Sequence, residues 1–320
     1  MIIYYDSIQE GYWFQELDNH LDKSELRPFP PLSEQKGMLK EILAYDRPDI
    51  VLVDGDEPIL VLERTIEVPS GHNVGQRFAR LVAASQKQIP VVYFGPYAAY
   101  KHGGETQGPR YMNLRLFYAL KNMAQIENSV ITLINWPVDE NYEIIQIPSI
   151  RDTHIKEYLK LFFNHYTTFG LNYIHSVISN SNFEARRGIE RETFIESEVR
   201  NPEQYNDPPN SVDIMTKTFF NSIYDNPKNN LNCDEIVLYK IGMTYIRSDP
   251  YTGMAMLYSY LYCGGMDNRI KNLVLHFPNI TKKMWQEKAS NARIPKDIKL
   301  YRLAADGIIF KDGYSNADTL

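Results

Sequence analysis

Short apolar runs separated by polar turn residues mark the part of the chain that follows residue 34. Asp49–Asp54 and Ile59–Glu63 are rich in Val, Ile and Leu, and Gly55–Pro58 between them has the composition of a turn. This pattern predicts a β-hairpin, and the continuous apolar character of both strands predicts that it is buried. A short helix is expected before it, starting near Ser33.

Helical and strand-like patterns alternate after the hairpin. Apolar residues recur at helical spacing in 73–88 and 111–127. Strand-like runs occupy 90–95, 130–136 and 142–147. The order of elements is therefore helix, hairpin, helix, strand, helix, strand. It predicts the α/β (α+β) class, with a mixed central sheet flanked by helices.

The two ends of the chain differ in texture from this central region. Residues 1–34 are aromatic and acidic and end in a proline-rich stretch, which predicts an N-terminal arm. Beyond residue 150 the pattern is largely helical. The remaining predicted elements are a charged helix over 184–200, strand-like runs over 235–247 and 299–311, and a helix near 252–263. We therefore expect an arm over 1–34, a core over 35–150 and a C-terminal region over 151–320.

The composition is that of a globular protein, with 43% hydrophobic and 23% charged residues. The N-terminus turns acidic within six residues and shows no secretory pattern. No apolar run approaches the roughly 18–20 residues that span a bilayer. Cys233 and Cys263 are too few for a disulfide framework or a four-cysteine zinc site. These features predict a cytoplasmic protein without membrane contacts.

Charge is distributed unevenly along the chain. The net charge of −6 does not indicate nucleic-acid binding by itself. However, residues 64–121 carry eight Lys or Arg and two Asp or Glu, whereas residues 1–63 carry five and fourteen. A polyanion responds to the field of one surface rather than to the total charge, so the basic block favours a nucleic-acid ligand.

Two carboxylates of the predicted hairpin are candidates for metal binding. Asp49 starts the first strand and Glu63 ends the second. If the turn centres on Asp56, the two lie seven residues away on either side and face each other across the antiparallel pair. Divalent cations stabilise the charge that develops during phosphodiester hydrolysis, and Mg²⁺ prefers carboxylate oxygens on rigid elements. Glu63 is otherwise costly to bury after an apolar run.

Pro48-Asp49, the hairpin and Glu63-Arg64-Thr65 together resemble the signature of the PD-(D/E)xK nuclease family, which includes many type II restriction endonucleases. The resemblance covers about residues 35–147. It implies that Asp49 and Glu63 bind Mg²⁺, with Glu41 of the preceding helix as a further ligand. The family's lysine is replaced by Thr65, and Arg64 is a poor substitute because neighbouring strand residues point to opposite faces.

Other residues near the hairpin are candidates for the missing lysine's role or for DNA binding. Residues 72–80 are expected to open a helix whose N-terminus favours anions, and the glycine-rich stretch 101–110 is expected to be a functional loop. The candidate catalytic residues are Asp49, Glu63, Thr65 and Gln76. The candidate nucleic-acid contacts are Arg77, Arg80, Lys101, His102 and Arg110.

The resemblance implies a Mg²⁺-dependent endonuclease that cuts double-stranded DNA at a specific sequence. A homodimer is expected, because a palindromic target calls for a two-fold dimer. One alternative is a nuclease of the same fold that acts in repair, in transposition or on RNA. The other is a catalytically silent DNA-binding module, which the replacement of the lysine by Thr65 favours.

Overall fold

The computed structural model describes residues 1–68, 80–105, 107–112, 114–198, 211–224, 231–244, 246, 271–289, 298, 301–302 and 305–316. The chain divides into two compact units. Unit 1 contains residues 1–112 and 127–199, and unit 2 contains residues 113–126 and 200–320. Residues 113–126, which lie within the predicted core over 35–150, therefore belong to unit 2.

Unit 1 is built on a six-stranded mixed sheet. Its strands are β1 (Ile2–Tyr5), β2 (Glu25–Pro28), β3 (Ile50–Asp54), β4 (Glu57–Arg64), β5 (Val91–Gly95) and β8 (Ile131–Asn135). Their order across the sheet is β2-β1-β3-β4-β5-β8. Strand β3 is antiparallel to β1 and β4, whereas β4, β5 and β8 run parallel to one another. A two-stranded antiparallel ribbon, β6 (Ala98–Lys101) with β7 (Gly108–Tyr111), follows β5 in the chain.

The predicted hairpin forms, with one irregularity that sets its register. Near the turn, Asp54 pairs with Glu57, so the turn is centred between Gly55 and Asp56. Beyond a β-bulge the pairing shifts by one residue, and Ile50 pairs with Leu62. The extra residue of the bulge lies in β4, between the partners of Leu52 and Val53. The bulge compensates for the off-centre turn, so the predicted register holds at the open end of the hairpin.

Helices cover both faces of this sheet. The helices of unit 1 are α1 (Ile8–Gln15), α2 (Gly37–Ile42), α3 (residues 80–86), α5 (Pro148–Arg151), α6 (Thr153–Phe169), α7 (Ile174–Ser179) and α8 (Asn182–Glu198). One face, with Leu60, Leu62 and Phe94, packs into a core with Tyr158 and Phe162 of α6. Every helix in the described part of the chain is too short or too polar to span a lipid bilayer.

Residues 1–34 belong to the sheet rather than to an arm. Strand β1 pairs with β2 on one side and β3 on the other, and Phe14 of α1 is fully buried. Ser7 caps α1 by accepting the backbone N–H of Glu10, whose carboxylate accepts the Ser7 hydroxyl. The aromatic residues near the N-terminus are therefore strand and core residues. The prediction of an arm over 1–34 is wrong, because a short aromatic stretch followed by prolines does not show whether it pairs with distant strands.

Unit 2 is built on a second mixed sheet rather than on helices alone. Its five strands are β9 (Ser211–Thr216), β10 (Glu235–Lys240), β11 (Asn272–Phe277), β12 (Gly307–Phe310) and β13 (Gly313–Asn316). Its described helices are α4 (Leu114–Ile126), α9 (Lys217–Ile223) and α10 (Lys282–Ala289). The prediction of a largely helical C-terminal part holds for 148–198 but is wrong for 211–316. The helix expected near 252–263 lies outside the described residues.

Most predicted elements of the central region form, and one differs. Strands β5 and β8 and helix α4 confirm the runs predicted over 90–95, 130–136 and 111–127. The strand predicted over 142–147 is wrong, since this stretch contributes only an isolated bridge between Val138 and Ile144. The α/β (α+β) class with mixed sheets and flanking helices is confirmed.

Candidate active site

Asp49 and Glu63 meet at the open end of the β3–β4 hairpin. Asp49 directly precedes β3, and the pairing of Ile50 with Leu62 makes Glu63 its opposite neighbour. Both side chains lie on the same face of the sheet because opposite residues of an antiparallel pair share a face. Asp49 is 7% exposed and Glu63 is 0% exposed. The hairpin therefore places two buried carboxylates side by side.

Arg80 of α3 joins these carboxylates. Its Nη1 donates to Glu63 Oε1 at 3.0 Å and lies 3.7 Å from Asp49 Oδ1, while its Nε donates to Asp46 Oδ2 at 2.9 Å. Burial acts to lower the pKa of Arg80, but the charge of Glu63 and the hydrogen bond to Asp46 hold that pKa above its ordinary value. One guanidinium thus gathers three carboxylates, which we call the acidic cluster (Asp46, Asp49, Glu63 and Arg80).

The strand end fixes the orientation of Asp49. The backbone N–H of Arg64 donates to Asp49 Oδ2 at 2.5 Å, so this oxygen is directed at β4. The other oxygen, Oδ1, is the one that faces Arg80. A charge-assisted hydrogen bond to a rigid strand restricts the rotation of the carboxylate. Asp49 is therefore held in a single orientation before any ligand binds.

The acidic cluster supplies carboxylate oxygens, the type of ligand that Mg²⁺ prefers. Three carboxylates face one guanidinium, so the cluster carries a formal charge of −2 when all three are ionised. Mg²⁺ is commonly held by one or two carboxylates, with waters and substrate phosphates completing its shell. Within the described residues, no three His, Cys, Asp or Glu side chains form a full protein ligand set. Asp49 and Glu63 fit the smaller set that Mg²⁺ uses.

The structure places Glu41 apart from the acidic cluster. Its carboxylate is about half exposed and forms an ion pair with Lys87. Asp46, which the sequence did not single out, contacts Arg80 instead. Its position three residues before Asp49 was the available signal, but only the path of the loop between α2 and β3 decides whether it turns toward the site. Glu41 as a metal ligand is therefore replaced by Asp46 as a cluster residue.

Thr65 directly follows strand β4, and its side chain hydrogen-bonds to the backbone two residues further on. Its hydroxyl donates to the carbonyl of Glu67 at 3.0 Å and accepts the N–H of Glu67 at 3.1 Å. The side chain is only 5% exposed. Such local hydrogen bonds stabilise a turn. The hydroxyl of Thr65 therefore stabilises the turn that follows β4.

Arg64 points to the opposite face, as strand alternation predicts. Its guanidinium carbon lies 4.5 Å from the ring centroid of Trp13 and 4.8 Å from that of Trp136. Arg151 lies 5.9 Å from both rings and forms a two-bond ion pair with Asp152 at 2.6 and 2.7 Å. We call these five residues the basic cluster.

The predicted loop 101–110 forms the tip and second strand of the β6–β7 ribbon. Ala99 pairs with Arg110, and Lys101 pairs with Gly108, so the Lys101 and Arg110 positions share one ribbon face. Lys101 is exposed and Arg110 is partly buried. His102 lies beside them but contacts Glu143 at 2.7 Å, which offsets its charge when it is protonated. Of the predicted contacts, Lys101 and Arg110 lie on one face of the ribbon, and Lys101 is the exposed one of the two.

The basic block of the sequence is not one surface. Arg80 and Lys87 form ion pairs within unit 1, and Arg64 lies between two indole rings. Residues 113–121 belong to unit 2. Gln76 and Arg77, predicted as a catalytic residue and a DNA contact, lie outside the described residues. Sequence proximity therefore overstated how much of this positive charge gathers in one place.

Comparisons of the chain with protein-family models, with curated proteins and with solved structures found no match.

Proposed function

We propose that this protein is a Mg²⁺-dependent nuclease that hydrolyses phosphodiester bonds of double-stranded DNA, with Asp49 and Glu63 as the cation ligands. The observation that supports this proposal most directly is their convergence on Arg80, from adjacent strands and at a buried strand end. Burying several carboxylates together is unfavourable unless a cation compensates them. Arg80 carries one positive charge beside three carboxylates, and a divalent cation would add further compensation.

Each residue of the acidic cluster has a distinct task in this proposal. A bound Mg²⁺ supplies Lewis-acid stabilisation of the charge that develops on the phosphate. Asp49 presents Oδ1 toward the site because the Arg64 backbone holds Oδ2. Glu63 is fixed on a central strand, and Arg80 keeps the carboxylates from repelling one another. Side chains that are held rigidly in this way would position the metal and the scissile phosphate more precisely than mobile side chains could.

Double-stranded DNA is the proposed substrate because unit 1, which carries the acidic cluster, also carries basic groups on the β6–β7 ribbon. Lys101 and Arg110 share a face of the β6–β7 ribbon, and two-stranded ribbons are among the elements that enter a DNA groove. Contacts to phosphates would position the duplex, and residues of unit 2 are proposed to contribute sequence readout. A homodimer, in which each subunit cuts one strand, is part of the same proposal.

A second candidate is a catalytically silent DNA-binding module. Two observations favour it: Arg80 already contacts Glu63 and Asp46, and the Thr65 hydroxyl is engaged by Glu67. Both candidates predict DNA binding, and only the first predicts cleavage. A nuclease of the same fold that acts on RNA, or in repair or transposition, predicts cleavage of a different substrate.

The test is incubation of the full-length protein with long unmethylated DNA, in Mg²⁺ and in EDTA, followed by electrophoresis. We expect the wild type to give Mg²⁺-dependent DNA fragments. Asp49→Asn and Glu63→Gln should each lower the cleavage rate by at least about a hundredfold, because the loss of a cation ligand removes several kcal/mol of transition-state stabilisation. Asp54→Asn is the matched control, because Asp54 lies at the other end of β3 and accepts a hydrogen bond from Tyr166.

Three results separate the candidates. Binding without fragments would favour the silent module, and cleavage of RNA or single strands alone would move the proposal to that substrate. Full activity in Asp49→Asn or Glu63→Gln would contradict the assignment of the site.

A further inference from the structure

The basic cluster combines two guanidinium groups with one carboxylate on the face of the sheet opposite Glu63. Asp152 is 3% exposed, and it accepts both hydrogen bonds from Arg151 and a third from Trp13 Nε1 at 3.0 Å. Its acceptor capacity is thus largely used by these neighbours. Arg64 is the second cation of the cluster and receives no such partner.

Arg64 is a partly buried cation whose donors are unused. Within the described residues, no acceptor hydrogen-bonds the Arg64 side chain and no carboxylate lies within 4.0 Å of it. Its Nε is buried. Burial lowers the pKa of Arg64, the charge of Glu10 opposes this, and the charge of Arg151 adds to it. An arginine nevertheless stays protonated in proteins, so the group remains charged.

Two indole rings lie against the guanidinium group of Arg64, and they do not accept hydrogen bonds from its N–H groups. Trp13 and Trp136 lie 4.5 and 4.8 Å from the guanidinium carbon, so the charge is stabilised by their π-faces. The N–H groups of a guanidinium point outward in its plane, where these rings offer no acceptor. A planar fork of N–H donors matches two oxygens of a phosphate. The indole rings therefore stabilise the charge of Arg64 without using the N–H groups that could bind an anion.

The basic and acidic clusters lie at the same end of the sheet. Glu63 and Arg64 are adjacent at the carboxyl end of β4, and the Arg64 backbone bonds to Asp49. Trp136 directly follows β8, which is parallel to β4 and β5. Ligands of open sheets bind outside the carboxyl ends of parallel strands. A polyanion that reaches the acidic cluster therefore also meets the end of the strand that carries Arg64.

We propose that Arg64, supported by Arg151, Trp13 and Trp136, is a binding site for a backbone phosphate of the nucleic-acid substrate. This inference rests on the proposed function, since it takes the ligand of the acidic cluster to be a nucleic acid. It adds a contact that lies on the opposite face from the reacting phosphate. The task of Arg64 is to bind and position the substrate.

The tryptophans of the chain allow a direct test. Trp13, Trp136 and Trp285 are its three tryptophans, and Trp285 is buried in the core of unit 2. Trp285→Phe therefore leaves two tryptophans, both against Arg64, and excitation of tryptophan alone reports on them. In EDTA, which prevents cleavage, we expect titration with a 20-base-pair duplex to give a saturable change in their fluorescence. Inorganic phosphate at the same phosphate concentration should not reproduce it, because a single ion lacks the other contacts of the duplex.

Salt dependence tests the contact itself. One phosphate contact contributes about 0.9 to the slope of log K against log salt concentration. We expect Arg64→Met to lower the magnitude of the slope by about that amount and to weaken binding on the order of five- to tenfold at 0.1 M salt. Arg27→Met is the matched control, because Arg27 is exposed on β2 and paired with Glu25. It removes the same charge and should leave the slope unchanged.

The outcomes are decisive even if Arg64→Met fails to fold. If Arg64→Met has the near-ultraviolet circular dichroism spectrum of the wild type, it is folded. A folded variant that keeps the wild-type salt slope would overturn the proposal. So would a silent fluorescence titration of Trp285→Phe, in which Arg64 is intact, or an equal response to inorganic phosphate. The nuclease proposal is scored separately, by Mg²⁺-dependent cleavage in wild type and Asp49→Asn. A fluorescence response without cleavage would support the phosphate contact and contradict the nuclease proposal.

Discussion

The two clusters at the end of β4 are opposite in charge although they share a strand. On one face, Glu63 lies with Asp46 and Asp49 around a single arginine. On the other face, Arg64 lies with Arg151 between two indole rings, and one carboxylate compensates them. Successive strand residues point to opposite faces, so adjacent residues enter different environments. The sheet itself separates an acidic site suited to a cation from a basic site suited to an anion.

The difference also concerns how each charge is stabilised. The acidic cluster relies on hydrogen-bonded ion pairs, which depend on the retention of both partners. The basic cluster relies partly on aromatic faces, which hold a cation without consuming its donors. The acidic cluster should therefore be destabilised when Arg80 is removed. The basic cluster leaves hydrogen-bonding groups available for a ligand.

Removal of Arg80 is expected to have the largest effect on stability. Arg80→Gln leaves Glu63, which is fully buried, beside two other carboxylates. Breaking a buried ion pair costs about 3–5 kcal/mol, and the partial exposure of Arg80 reduces this to about 2–4 kcal/mol. Urea denaturation in EDTA measures the change, with the exposed Arg27→Gln as control.

Magnesium should offset this loss if the acidic cluster binds it. A ligand that binds only the folded state adds to its stability by mass action. We therefore expect millimolar Mg²⁺ to restore part of the stability of Arg80→Gln, but none of that of Arg80→Gln combined with Glu63→Gln. If Arg80→Gln is as stable as the wild type in EDTA, Arg80 does not stabilise the buried carboxylates of the acidic cluster.

Glu184 of α8 extends the comparison, because it is a largely buried carboxylate on the side of the sheet that carries the basic cluster. Burial raises the pKa of Glu184 to about 7, against the charges of Arg191 and Arg187. Between pH 4.5 and 7 the folded state retains a proton that the unfolded state has lost. The free energy of unfolding should therefore fall as pH rises through this window, by up to about 3 kcal/mol from this group.

Glu184→Gln should remove that component of the pH dependence. The measurement is urea denaturation of the wild type and the variant at pH 5 and pH 8. Glu192→Gln, at an exposed position of the same helix, should keep the wild-type dependence. An identical pH dependence in all three proteins would mean that Glu184 ionises in the folded state as readily as in the unfolded chain.

The smallest effects are expected at the β6–β7 ribbon, where Lys101 is exposed and Arg110 is partly exposed. Lys101→Ala and Arg110→Ala should each weaken DNA binding several-fold at 0.1 M salt and lower the salt slope by about 0.9, without a change in stability. Fluorescence anisotropy of a labelled duplex at several salt concentrations measures both. Lys23→Ala, another exposed cation, is the control. An unchanged slope in both ribbon variants would leave the basic cluster as the only tested phosphate contact.

Local pattern predicted the hairpin well because its information is local. Two apolar runs around a turn specify adjacent antiparallel strands, and the pairing of Ile50 with Leu62 follows the predicted register. That agreement depended on a bulge that the sequence did not indicate. The arm predicted over 1–34 failed for the opposite reason. The pairing of β1 with β3 joins residues about fifty positions apart, and no local pattern encodes it.

The candidate site shows the same division between local and distant information. The sequence by itself determined that Arg64 faces away from Glu63, because this follows from the two-residue period of a strand. It also predicted that Asp49 lies opposite Glu63, but this register depends on the bulge in β4. Only the tertiary structure decided that Arg80 and Asp46 join these carboxylates, that Glu41 does not, and that Trp13 and Trp136 enclose Arg64. Those contacts depend on how helices and loops pack onto the sheet, and packing is set by the fit of many distant side chains at once.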